Sequence, residues 1–513
     1  MQVNENIDDD EENEVQSASD SAQQTQPSSS EVAERVRNWA LKTYQTHKAI
    51  NGMLEILRDI TSYKLPKDAR TLLKTKQCGQ EIQQIAGGEF WYPGVKAALE
   101  KQFGNVQPRV SKFSLNFSID GLPLHKSSRK QFWPILMSIK ELPEIPVLMV
   151  GNFLGESKPA SVEEYLRPLV KELNGLMENG IQIANKLIEV RVGAFIADSP
   201  ARAFIKGVVY FNHKKGCQKC TVEGKFDKTA RVMCFPGIDA PARTHQDFKD
   251  SKDDEHHRET TPLVDLLHFD IILNVIIADL LHLIDFGVTR TAINGWKSGK
   301  FGGGPKWSQE TLNRINNILD NVEIPLEFHR KLRSIEDTGF WKASEFNMFL
   351  NYASFIVLKE VLTKEQYEHF MLYYCAIRLF SSECYKEHWP AAHVLLVQFV
   401  EQYGTIYGEH CITSNVHNLL HVYEVVKKFG ALVNFSSYRY EAKLHDVGRN
   451  GHNVLVQAAN RISEQIPTRP SSSKNSPFPY IESKSYGAVV HINSIITLYP
   501  SEQSNWFLTH DFS

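Results

Sequence analysis

Asp120 closes a run in which apolar and polar residues alternate without a break, Lys112-Phe113-Ser114-Leu115-Asn116-Phe117-Ser118-Ile119, and Gly121 and Pro123 follow at once. Alternation at that period predicts a half-buried strand that ends at the glycine and proline, so the carboxylate stands at the strand's open end. Asp198 is set in the same way, behind the apolar run Leu187 to Ile196 and ahead of Ser199-Pro200, a helix start. Two carboxylates in one crevice repel each other unless a cation lies between them. Their oxygens suit magnesium or manganese, and two such ions about 3.5 to 4 Å apart serve phosphodiester chemistry by activating the attacking oxygen and stabilising the leaving one. A site of that kind asks for a third acid further along the chain.

Cys217-Gln218-Lys219-Cys220 offers half of a tetrahedral zinc site, with Cys234, His245, His256 and His257 as candidates for the other half. A redox reading lacks the βαβ surroundings of a thioredoxin-like motif, so zinc is the expectation. His417 and His421 share a helix face and have metal-binding spacing, but the HExxH order of a metalloprotease is absent. They read as packing or DNA-facing residues. Arg129 and Lys130, Lys214 and Lys215, and Lys427 and Lys428 suit phosphate contacts or a solvated surface equally well.

The elements that must position these groups follow from periodicity. Helical spacing runs from Ser30 through Val36, Trp39, Tyr44, Ile50, Leu54 and Leu57. Strands are expected at Lys112 to Ile119, Phe132 to Ile139, Ile145 to Gly151 and Leu187 to Ile196, with a helix opened by Ser161 between the last two and another opened by Ser199. Three strands, a helix, a strand and a helix are the order of an RNase H-like fold. In such a sheet parallel neighbours end side by side, so Asp120 and Asp198 are expected to converge. Helical patterns then dominate to about residue 430, among them Leu263 to Leu283, and weak strand signals return between Gly487 and Thr497.

The net charge of -3 conceals an acidic leading segment. Residues 1–30 hold eight Asp and Glu and no Lys or Arg, which leaves about +5 on the rest. That segment is expected to be a disordered tail, and the mildly basic body is compatible with a polyanionic partner. No apolar run is long enough to span a membrane, and the first residues lack a secretory leader pattern, so an intracellular protein is expected. Seven cysteines without a dense framework agree with a reducing compartment.

Four blocks in order, FSIDGLPLHKSSRKQFWPILMSI, VGAFIADSPARAFIKGVVYFNHKKGCQKCTVEG, ADLLHLIDFGVTR and NVHNLLHVYEVVKKFGALVNFSSYRYEAKL, resemble the eukaryotic cut-and-paste transposases of the CACTA type and host proteins derived from them. The upstream LPKDARTLLKT resembles a further segment of these proteins, and the similarity spans about residues 60–465. The resemblance implies an α/β RNase H-like core, a mixed sheet with flanking helices, interrupted by a large, mostly α-helical insertion. It implies Asp120, Asp198 and Glu441 as three catalytic acids of the DDE kind holding Mg2+ or Mn2+. Asp279 and His282 resemble the family's Asp/Cys-x-x-His signature, at i and i+3 on one helix face, with Asp285 a further acid nearby. A histidine pair in the family points to His256 and His257 as partners of Cys217 and Cys220. Double-stranded DNA, namely transposon ends or derived sites, is the implied partner, the protein would be nuclear, and an active form would be a homo-oligomer.

The expected division is an acidic tail at 1–30, a helical region at 31–108, the first part of the core at 109–210 and the CxxC segment with the helical insertion at 211–430. The last core helix with the third acid follows at 431–466, and a tail at 467–513. The residues after Glu441 are sparsely basic and no DNA-reading zinc finger or helix-turn-helix precedes the core. These two features leave room for a host-adopted, non-catalytic DNA- or chromatin-binding protein that keeps the fold.

Overall fold

The computed structural model describes residues 27–43, 45–76, 78–124, 128–301, 305–321, 331–449 and 455–464. The acidic segment 1–26 and the stretch 465–513, with its strand signals between Gly487 and Thr497, lie outside the described residues. The chain divides into two units, 1–75 and 76–513.

In the first unit three helices, Ser29–Lys42, His47–Ile60 and Ala69–Leu73, enclose a small core of Ala40, Ile50, Leu54, Leu65, Leu72 and Leu73. Each is started by a side-chain cap. Ser28 and Glu31 form a reciprocal capping box, while Thr46 and Asp68 accept from Ala49 N and Thr71 N.

The second unit is a mixed α/β structure built on a nine-stranded sheet. Its strands are β1 (Ile82–Ile85), β2 (Gly88–Trp91), β3 (Lys112–Ile119), β4 (Leu122–Pro123), β5 (Gln131–Ile139), β6 (Leu148–Gly155), β7 (Ile181–Ile183), β8 (Lys186–Ile196) and β11 (Val275–Ile276). The order along the main path is β1-β2-β6-β5-β3-β8-β11, with β4 paired to β5 and β7 to β8. A separate hairpin joins β9 (Lys225–Asp227) to β10 (Val232–Cys234).

β5 runs antiparallel to β3 and to β6, whereas β8 is parallel to β3 and β11 is parallel to β8. Ser118 lies opposite Ile196, and Ile196 opposite Ile276. The residues that leave the ends of β3, β8 and β11 therefore emerge at one edge of the sheet. These include Asp120, Asp198 and Asp279.

One face of the sheet carries Phe113, Leu115, Phe117 and Ile119 from β3 and packs against Leu166, Leu169, Val170 and Leu173 of the Val162–Asn179 helix. The opposite face carries Leu136, Met149, Ala194 and Ile196 and belongs to a second core shared with the helices that follow, notably Lys364–Phe380 and Trp389–Tyr407. Those two helices pack chiefly against each other, and burial of their apolar residues in this core fixes them. Among the described residues no helix is long and apolar enough to cross a membrane.

The structure departs from sequence periodicity in two places. Residues 82–91, expected within a helical region, form the β1–β2 hairpin, because Ala86 and Gly87 take positive φ (47° and 81°) in a two-residue turn that reverses the chain. The stretch Leu263 to Leu283, expected to be helical, instead contains a short turn, β11 and only then a wide-pitched π-helical segment, Leu280–Thr289. A fully buried strand has no polar face, so its apolar run looks like a buried helix.

Candidate functional site

Asp120 follows β3, and its Oδ1 accepts from the Gly121 backbone N–H at 2.7 Å. Asp198 caps the Ser199–Lys206 helix, its Oδ1 accepting from Ala201 N at 2.7 Å. Beneath it the buried Arg202 donates to Ala197 O (2.7 Å) and to Ser199 Oγ (2.8 Å), holding the residues on both sides of the acid. Burial holds the guanidinium's pKa down to about 10, against the pull of Asp198 and Asp279.

Glu441 arrives from the far end of the chain, in the first turn of the Tyr438–Arg449 helix. Three residues seat that helix at the strand ends. The Tyr440 hydroxyl meets Ser138 Oγ at 2.7 Å and donates to Asn116 O at 3.3 Å, Arg439 donates to Pro143 O and Ile145 O at 2.9 Å, and the Ser437 N–H donates to Asp279 Oδ1 at 2.8 Å. Tyr438 donates to Asp285 Oδ2 at 2.7 Å, and Asn347 also donates to Asp285, whose burial raises its pKa well above the usual carboxylate range. Asp285 is thus a buried packing group below the site whose charge is disfavoured.

Asp279 stands ahead of the Leu280–Thr289 segment as its cap, a position different from the shared helix face expected from spacing. It is fully buried. Its Oδ2 accepts from the His282 N–H at 3.0 Å and from His282 Nδ1 at 2.5 Å, so the ring is tied by one nitrogen and presents the other, Nε2, 3.7 Å from Glu441 Oε1. Ligand atoms of Asp120, His282 and Glu441 all lie within 4.8 Å of one another.

The electrostatics follow from the crowding. Burial, then Asp198, then Glu441 push the Asp120 carboxyl up to about 7. Burial likewise raises Glu441, helped by Asp279 and Asp198 and opposed by His282. At His282 burial disfavours the imidazolium, but Asp279, Glu441 and Asp120 outweigh it and the pKa rises. Asp279 moves the other way: burial opposes its charge, and the bonds from His282 and Ser437 overcome that and hold it ionised. The result is a carboxylate cluster with one histidine as its nearest cation.

A second cluster forms behind the sheet edge. Cys217 Sγ lies 3.5 Å from His421 Nε2 and 3.5 Å from Cys220 Sγ, Cys220 Sγ lies 3.3 Å from His417 Nε2, and the two Nε2 atoms are 3.3 Å apart. A tetrahedral zinc site with its usual bond lengths has ligand-to-ligand edges of about 3.3 to 3.8 Å, so this buried Cys2His2 group matches a metal such as zinc. Burial opposes a thiolate at Cys217, but Cys220 and the two histidines more than compensate and lower its pKa, while Cys220, beside that thiolate, is raised.

The histidines expected as zinc partners sit elsewhere. His256 is buried and donates from Nδ1 to Lys215 O at 2.8 Å, and burial lowers its pKa to about 3. His257 packs on the Phe248 ring at 4.5 Å. Arg243 stands by the CxxC loop where they were expected, donating to Cys217 O at 3.0 Å. Cys234 donates to Lys225 O within its hairpin, and His245 Nδ1 accepts from Ile271 N. The signal for the true partners was present as the His-x3-His spacing of residues 417 and 421, which local sequence could not connect to a CxxC about two hundred residues earlier.

Compared with models of known protein families the chain matches none, and no curated protein matches it.

Proposed function

We propose that the chain is a metal-dependent DNA nuclease and strand transferase of the DDE kind on an RNase H-like core, as in the CACTA-type transposases its sequence resembles. The sheet supports the fold reading, with β6-β5-β3 as an antiparallel meander and β8 and β11 added parallel to β3. The observation that carries the functional reading is the gathering of Asp120, Glu441 and His282 at the strand ends of that sheet, with ligand atoms within 4.8 Å of one another, where burial and then Asp198 and Glu441 push Asp120 up to about 7. A cluster that resists ionisation when alone is what a divalent cation would stabilise.

Asp120, Asp198 and Glu441 would hold Mg2+ or Mn2+, and His282 Nε2 lies within reach of the same ion. Bound there, the metal supplies Lewis-acid activation of the attacking oxygen and charge relief for the leaving one. Asp279 keeps the His282 ring oriented, as a carboxylate behind a ligating or proton-carrying histidine does. Arg202 fixes the backbone around Asp198. The Cys2His2 group would take zinc in a closed, structural site, since all four positions come from protein.

The test is calorimetry with MnCl2 on the full chain, wild type beside Asp198→Ala, followed by nicking of supercoiled DNA. Manganese binding lost in the variant together with nicking lost in Asp120→Ala, Asp198→Ala and Glu441→Ala supports the assignment. Equal binding in both proteins, or nicking retained in any one of the three, refutes it for that residue.

His282 favours a second reading. As an imidazolium beside Asp120 and Glu441 it supplies the missing positive charge itself, and the chain is then a host-adopted DNA- or chromatin-binding protein without cleavage. On that reading salt-dependent DNA affinity survives all three alanine changes.

A further inference from the structure

The segment between the two clusters is held from both sides. β11 has only two residues, pairs with β8 alone and lies at the sheet's edge, yet it leads directly into Asp279 and His282. A strand that short has little hold of its own. Lys219, inside the CxxC loop, buries its ammonium and donates to Ile272 O and to Val275 O, the latter at 3.1 Å. Its backbone N–H donates to Cys217 Sγ at 3.5 Å and its carbonyl accepts from Arg243 N at 2.8 Å, so its position is set by the loop that carries the cysteines.

From the other side comes Lys428, at the end of the Val422–Phe429 helix that begins immediately after His421. It donates to Asn274 Oδ1 at 2.7 Å, and Asn274 in turn donates to Gly193 O of β8 at 2.6 Å. The two lysines that grip residues 272–275 thus belong to the two segments that supply the Cys2His2 group, one bearing the thiols and the other the imidazoles.

We propose that Lys219 and Lys428 are positioning residues of a clamp closed by metal at Cys217, Cys220, His417 and His421, so that loading of this group sets the placement of Asp279 and His282. The inference rests on the metal reading of the Cys2His2 group. Its consequence for the acid cluster also rests on the proposed function. Joining the cysteine loop to the histidine segment draws both ammonium groups onto the backbone ahead of β11. Without the metal the two segments are free to part, and β11 keeps only its pairing to β8 and the burial of Val275 and Ile276.

The experiment is hydrogen–deuterium exchange by mass spectrometry on the full chain, zinc-loaded, chelator-treated, and as zinc-loaded Lys219→Met and Lys428→Met. Peptides covering 272–279 should exchange at least tenfold faster in the chelated protein and in each variant, while peptides of β5 stay unchanged and both variants retain zinc. Unchanged exchange over 272–279 on chelation, or in both variants, overturns the clamp. If Lys219→Met fails to fold, Lys428→Met, altered at an exposed residue, decides. Manganese affinity, measured on the same samples, should fall about tenfold with the clamp open, and an unchanged affinity removes the link to the acid cluster. Wild-type protein that binds no manganese would defeat the acid-cluster reading alone, since exchange still decides the clamp.

Discussion

Replacing Asp120 by Asn should stabilise the metal-free protein at alkaline pH. In the folded chain Asp120 gives up its proton only near pH 7, because burial, Asp198 and Glu441 all disfavour the charge. An unfolded aspartate ionises at about 3.9. Below about pH 4 both states carry the proton and the group contributes nothing to pH dependence. Between about 4 and 7 the unfolded state alone ionises, so stability falls as pH rises, and the loss is complete above 7 at up to about 4 kcal/mol.

Asn keeps an oxygen for the Gly121 N–H and carries no charge in either state. Urea unfolding in EDTA should therefore find wild type and Asp120→Asn alike near pH 4, and the variant more stable by roughly 2 to 4 kcal/mol at pH 8. Saturating Mg2+, at a hundred times its dissociation constant, should return about 2.7 kcal/mol to the wild type and nothing to the variant. Parallel pH profiles for the two proteins in EDTA would mean that the carboxylates do not face one another, and the charge argument for the site would fall.

Three further outcomes follow from the geometry. Cys220→Ser or His421→Ala should reduce zinc from one equivalent to none by elemental analysis, whereas His256→Ala and His257→Ala should leave it bound. His282→Ala strands the fully buried Asp279 without its imidazole partner, which should cost about 3 to 5 kcal/mol by chemical denaturation, and Asp279→Asn with His282→Ala should recover part of that. Tyr440→Phe loses the hydroxyl contacts to Ser138 and Asn116 that seat the third-acid helix, for about 1 kcal/mol of stability and a measurable loss of manganese affinity by calorimetry.

Local chemistry made part of this legible before any coordinates. β3 was readable to the residue because one face is apolar and the other partly polar, and both acids at strand ends were visible because a turn or a helix cap followed each one. β11 was not, since a strand buried on both sides has the composition of a buried helix. The two ends of the Cys2His2 group were each visible as a spaced pair, but their union is a tertiary fact, set by the docking of the 414–421 turn behind the CxxC loop. Distance in sequence also explains the misplaced partners: the resemblance pointed to His256 and His257, whereas the histidines that meet the thiols lie about two hundred residues further on. The bond that ties Asp279 to Ser437 was hidden in the same way, since the two residues lie 158 apart.

The contact between Cys220 and His417 joins residues 197 apart. A metal there would act as a cross-link on the unfolded chain, and a loop of that length loses about 5 kcal/mol of conformational freedom when its ends are tied, on the same accounting used for disulfides. Unlike a disulfide, such a staple survives in a reducing compartment and is removed by a chelator. It also sets an order of assembly during synthesis. Neither cluster can close until residues beyond 417 have emerged, and Glu441 comes last, so a nascent or truncated chain holds Asp120 and Asp198 without the third acid and has no complete site to act with.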